Sequence, residues 1–133
     1  MRTRLRTFIV EDSPTILEGL SEALQDISGV EIVGSAATEA DSLAWFAGEG
    51  RQCDVAIIDI FLRAGSGLGV LNGSRQLPLP PARVVLTNYV TADMRARCLA
   101  LAADQVFDKS TEIDELFAWF AEQSSLPDAS NGH

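Results

Sequence analysis

Short apolar runs and helix-spaced apolar positions alternate along this chain. Leu5 to Val10 is an apolar run rich in strand formers, and Ser13-Pro14 then supplies an N-cap hydroxyl and a proline at the first helical position. Ile16, Leu17, Leu20, Ala23, Leu24 and Ile27 follow at helical spacing until Gly29 stops the helix. Val30 to Ser35 predicts a strand, and Thr38 to Ala47 predicts a helix ended by Gly48 and Gly50. VAIID at 55–59 is a continuous apolar strand of the kind buried on both faces of a parallel sheet. Residues 68–76 predict a short helix weakened by Gly69 and Gly73 and broken by PLPP at 78–81. Arg83 to Thr87 predicts a fourth strand, 91–102 a fourth helix, Gln105 to Asp108 a fifth strand and Thr111 to Gln123 a last helix. Five strand–helix alternations without internal repeats predict an open, five-stranded parallel α/β sheet with helices on both faces. The domain spans 1–123, and 124–133 is a polar, flexible tail.

In such a sheet, ligands bind beyond the carboxyl ends of the strands. That rule gives meaning to an oddity: the first apolar run, FIVEDS, ends in two adjacent acids, and buried carboxylates are costly unless their charge is compensated. Glu11 and Asp12 follow the first strand, Asp59 ends the third, Thr87 ends the fourth and Lys109 follows the fifth. All five fall at one end of the sheet. Crowded carboxylates are relieved by a divalent cation, and oxygen ligands without His or Cys select Mg²⁺. With a hydroxyl at Thr87 and an ammonium at Lys109, the set fits phosphoryl transfer to a carboxylate.

Composition narrows the field. A length of 133 residues fits one domain, and 47% hydrophobic with 22% charged residues is ordinary for a globular protein. A formal net charge of −9 repels nucleic acid, so direct nucleic-acid binding is not expected. No apolar stretch is long enough for a membrane span, and the basic start lacks a signal-peptide core, so a cytoplasmic location is expected. Cys53 and Cys98 form no metal-ligand cluster and read as small buried hydrophobes. The single histidine is the terminal His133, which leaves no histidine chemistry. Of ten basic residues nine are arginine, and the lone lysine is Lys109. GSGLGVLNG at 65–73 does not complete GxGxxG and reads as a turn, its glycines supplying positive φ.

FIVEDSP, AIIDIFLRAGSG, VVLTN and VFDKS, in this order and spacing, resemble the receiver domains of two-component response regulators, over roughly residues 5–122. The resemblance implies a flavodoxin-like (βα)5 fold. It implies that Asp59 is the phosphoacceptor, and that Asp12, Asp59 and the backbone carbonyl of Phe61 hold Mg²⁺, with Glu11 acting mostly through water. Lys109 would pair with Asp59 and then with the phosphoryl group, and Thr87 would swing toward it on activation. Gly67 would shape the loop after the third strand. The implied partners are a sensor histidine kinase or phosphotransfer protein and a downstream effector, met through the fourth helix and fifth strand. A homodimer is compatible with it. The chain would be a switch with self-catalysed phosphorylation and slow dephosphorylation, rather than an enzyme.

Departures from the family pattern matter too. The switch aromatic expected three residues before the lysine is Val106, and its neighbour Phe107 should face the other side of the sheet. Ser110 stands where proline is frequent, as a candidate N-cap for the last helix. Phe61 and Tyr89, two residues beyond Asp59 and Thr87, should hinder hydrolytic water. DKSTEIDEL is similar to receivers attached to helix-turn-helix output domains, so a receiver piece of a transcriptional regulator is one alternative. A pseudo-receiver that only binds partners is another. An aspartyl phosphatase would need an acid where Phe61 stands.

Overall fold

The computed structural model describes residues 5–48 and 52–125. Five strands, β1 (Leu5–Val10), β2 (Val30–Ala36), β3 (Val55–Ile58), β4 (Ala82–Thr87) and β5 (Gln105–Asp108), form one sheet in the order β2-β1-β3-β4-β5. Every pairing in it is parallel. The chain leaves β1 for the β2 edge, then returns to lay β3 on the other side of β1. Connections after β1 and β3 therefore diverge, and a crevice opens where their carboxyl ends meet.

Alternation along the strands divides the core into two layers. Leu5, Ile9, Val55, Ile57, Val84, Leu86 and Phe107 pack against α1 (Pro14–Gln25) and α5 (Ile113–Ser125) through Leu20, Leu24, Leu116 and Phe120. Phe8, Val10, Ala56, Ile58, Val85 and Val106 pack on the opposite face against α2 (Glu39–Ala47), α3 (Gly67–Ser74) and α4 (Ala92–Ala100). Phe8 stacks on Trp45 with ring centroids 4.1 Å apart. A Cβ at Gly34 would lie 2.9 Å from the Trp45 indole nitrogen, so the missing side chain on β2 is what admits this stack. Arg83 is buried on the α3–α4 side and ties those helices together. Its guanidinium donates to the Leu71 carbonyl at 3.2 Å and to the Ala102 carbonyl at 2.8 Å.

Local chemistry sets the helix starts. Hydroxyls of Ser13, Thr38, Ser66 and Thr91 accept from the first-turn amides of Ile16, Asp41, Leu68 and Met94 and cap α1 to α4. The ends depart from the sequence pattern. α1 closes at Gln25 rather than Ile27, because Ile27 N–H turns to the Leu24 carbonyl at 3.0 Å and Gly29 takes a φ of +88°. α4 stops at Ala100, before Ala102 enters the left-handed region at φ +67°. Ser110 does not cap α5: its N–H and hydroxyl both donate to Asp108, at 2.8 and 2.6 Å. α5 runs through Ser125, so 124–125, expected in the tail, are helical, while 126–133 and the Gly50 helix stop lie outside the described residues.

The glycine-rich stretch after β3 corrects another expectation. Only Gly65 has positive φ, at +79°. Gly67 and Gly69 sit in α3 and are there for room: a Cβ on Gly67 would come 2.1 Å from the Asp59 carbonyl oxygen, and one on Gly69 2.2 Å from a Glu39 carboxylate oxygen. Glu39, in the first turn of α2, accepts the Ser66 N–H at 2.8 Å and so clasps this loop.

Candidate functional site

The five polar residues singled out from the strand ends meet at the crevice. Asp59 follows β3, and its backbone N–H donates to the Val10 carbonyl at the end of β1 at 3.0 Å, which sets its side chain beside Glu11 and Asp12. One carboxylate oxygen from each of Glu11, Asp12 and Asp59 lies within 4.8 Å of the others. Glu11 and Asp59 are buried, and Asp12 is partly open. An all-carboxylate donor set with no His or Cys is suited to a hard divalent cation that keeps water ligands, so the residues fit Mg²⁺.

Both oxygens of Asp59 are engaged. Oδ1 accepts the Thr87 hydroxyl at 2.9 Å and the Phe61 N–H at 3.3 Å, and Oδ2 accepts the Lys109 ammonium at 2.9 Å. Thr87 is fully buried and already turned toward Asp59, where an inward swing on activation was expected. Lys109 also reaches Glu11 Oε1 at 2.5 Å, while Glu11 Oε2 accepts the Ser13 N–H at 3.0 Å. Burial alone pulls the Lys109 ammonium toward deprotonation, but the hydrogen bonds it donates to Glu11 and Asp59 and their charges outweigh it, and its pKa rises above the ordinary 10.5. The lone lysine is thus a held cation between two buried carboxylates.

At the edge of the site Phe61 is 58% exposed and Tyr89 86% exposed. Tyr89 takes a φ of +57°, a left-handed conformation that disfavours bulky residues. Val106 and Phe107 are both buried, on opposite faces of the sheet, Val106 toward Cys98 and Ala103 and Phe107 toward α1 and α5. The aromatic ring beside Lys109 is therefore on the side away from α4.

Three residues that sequence reasoning did not single out complete the surroundings. Arg63, in the loop after Asp59, donates its backbone N–H to Asp12 Oδ2 at 2.8 Å. Asp108 holds the turn around Tyr89, accepting the Val90 N–H at 3.1 Å. Arg95 of α4 donates to the Val106 carbonyl at 2.7 Å and to Glu112 at 3.2 Å, spanning β5. None of the three left a sequence signal, whereas Glu39, also missed, left one in the spaced glycines its side chain fills. Of the two cysteines expected to be buried, Cys98 is and Cys53 is only partly so; burial pushes the Cys53 thiol up to about 12 and raises Cys98 as well. Among the described residues no helix is long and apolar enough to cross a membrane.

Known structures share this fold. The chain superposes on a CheY-like response regulator receiver domain protein from Methanospirillum hungatei with a TM-score of 0.77 at 24% identity, covering 92% of this chain and 94% of that one. The response regulator domain of Thermotoga maritima CheB gives a TM-score of 0.80 at 14% identity over 96% of this chain and 100% of that one. The phosphorylated cyanobacterial phytochrome response regulator RcpA gives 0.76 at 22% identity over 91% of each chain. These likenesses establish the flavodoxin-like receiver fold. Among curated proteins none matches the chain significantly. The sequence pattern of the response regulator receiver domain matches residues 7–121, nearly the whole chain, and this protein belongs to that family.

Proposed function

We propose that this receiver domain accepts a phosphoryl group on Asp59 from the phosphohistidine of a sensor kinase or phosphotransfer protein, in a reaction that requires Mg²⁺. The reading is supported above all by Asp59 having each carboxylate oxygen aimed by a separate partner inside an acid cluster. Lys109 and the Thr87 hydroxyl hold the carboxylate for in-line attack, one oxygen each. One Asp59 carboxylate oxygen bonds to phosphorus as the phosphorus–nitrogen bond of the donor imidazole breaks, and the nitrogen keeps the electron pair. Mg²⁺, held by Asp12, Asp59 and the Phe61 carbonyl with Glu11 through water, would supply charge neutralisation for the phosphoryl oxygens. Lys109 then exchanges part of its carboxylate pairing for the new phosphoryl oxygens.

The product is a switch, not a turnover catalyst. Its state passes to an effector protein through the surface of α4 and β5, in a cytoplasmic setting without direct nucleic-acid contact by this domain. The test is intact-mass spectrometry after incubation with acetyl phosphate, with and without Mg²⁺, beside Asp59→Asn. One magnesium-dependent phosphoryl adduct, missing in the variant, is expected. No adduct, even from a phosphohistidine donor, overturns the proposal.

A further inference from the structure

Asp12 does not stand free in the acid cluster. Its Oδ2 accepts the Arg63 backbone N–H at 2.8 Å, and the Arg63 Nε lies 4.0 Å from the same oxygen. The Arg63 side chain is 79% exposed, that of Asp12 18%. Glu11, Asp12, Asp41, Trp45 and Arg63 together line a cavity of about 560 Å³ that opens from the acid cluster toward α1 and α2. A cation fixed to the chain thus stands at the open side of the cluster, on the one acid of the three that solvent reaches.

The two parts of Arg63 act differently. The backbone N–H orients the Asp12 carboxylate whatever side chain follows. The guanidinium adds positive charge near the oxygen that a second cation would use. Lys109 already neutralises Glu11 and Asp59 from the buried side. The cluster therefore carries three carboxylates against two resident cations, and an arriving dication meets less net negative charge than the acids alone would offer.

We propose that Arg63 is a positioning residue that sets the metal affinity of this receiver: its guanidinium is a resident counter-charge on Asp12 that Mg²⁺ must displace. The inference rests on the receiver reading given above. It follows that metal loading, and with it the readiness of Asp59, responds to the Arg63 charge. The contact is exposed, so the effect is moderate and sensitive to salt.

The experiment titrates Mg²⁺ alone into the full chain, followed by calorimetry and by tryptophan emission, to which Trp45 of the same cavity contributes beside Trp119. Wild type is compared with Arg63→Ala, Arg63→Lys and Asp12→Asn, each checked for native far-UV circular dichroism. Arg63→Ala keeps the backbone N–H and should bind Mg²⁺ about two- to fivefold more tightly than wild type, the gain shrinking in high salt. Arg63→Lys should stay near wild type, and Asp12→Asn should bind poorly. Unchanged or weaker binding in Arg63→Ala overturns the inference and leaves the receiver reading intact. Absence of any Mg²⁺ signal in folded wild type overturns both.

Discussion

Phe61 and Tyr89 are large aromatics that the fold leaves in water, Phe61 two positions beyond Asp59 and Tyr89 two beyond Thr87, whose hydroxyl bonds that carboxylate. Tyr89 does so in a left-handed conformation that costs a bulky residue roughly 1 kcal/mol, and the Val90 amide bond to Asp108 holds the turn in place. Strain kept beside a reactive group is a reason to ask what the side chain does there. On the receiver reading, both rings obstruct water approaching phospho-Asp59. Phe61→Asn with Tyr89→Ala should speed loss of the phosphoryl group by roughly tenfold, about 1.4 kcal/mol of barrier. Decay followed by intact mass would decide it, and equal rates would reject the role. At this scale the sequence spoke unevenly. Asp59, Thr87 and Lys109 were legible because strand ends announce themselves. Arg63 was not, because a backbone amide contact from a loop leaves no periodic trace.

Between β5 and its flanking helices the chain departs from the receiver pattern, and the structure shows what occupies the space. With Val106 in place of an aromatic, Arg95 lays its guanidinium from α4 to the Val106 carbonyl and to Glu112, which also accepts the Asp108 N–H at 2.9 Å. α4, β5 and the start of α5 are thus joined by polar contacts where a ring might have turned. The Arg95–Glu112 pair is well exposed, so its worth is small. A double-mutant cycle of Arg95→Ala and Glu112→Ala, read by urea denaturation, should give a coupling below about 1 kcal/mol. A coupling of several kcal/mol would mean that the pair works as a buried network. Element positions were legible here from apolar spacing, β5 to the residue. The α5 start was not, because Ser110 has the cap residue type but spends its donors on Asp108.

For the whole molecule, charge sets the working range of pH. The Lys109 pKa is raised in the fold despite burial, through Glu11 and Asp59, so its contribution to stability is complete below the ordinary 10.5 and is lost as pH climbs through the folded value. Asp108 runs the other way: the Ser110 hydroxyl, then the Ser110 and Val90 amides, hold it below 3.8. Its contribution is present above 3.8 and is lost as pH falls through the lower folded value. Thermal melts across pH should therefore decline at both extremes. Lys109→Met should flatten the alkaline limb, and an unchanged alkaline limb would refute the assignment. The architecture was readable as a whole because parallel βα units bury strands on both faces, and VAIID could belong to little else. The contacts that couple units, Glu39 to the β3–α3 loop and Arg83 between α3 and α4, join residues far apart in sequence and have no local signature.

The scarcity of lysine has a practical side. A lysine-specific protease has one bond to cut in the entire chain, Lys109–Ser110. That bond follows a side chain locked to two carboxylates and an N–H bonded to the Thr87 carbonyl at 2.9 Å. Cleavage requires the crevice to come apart, so the rate of appearance of two fragments is a clock for its opening, readable on a gel without any label.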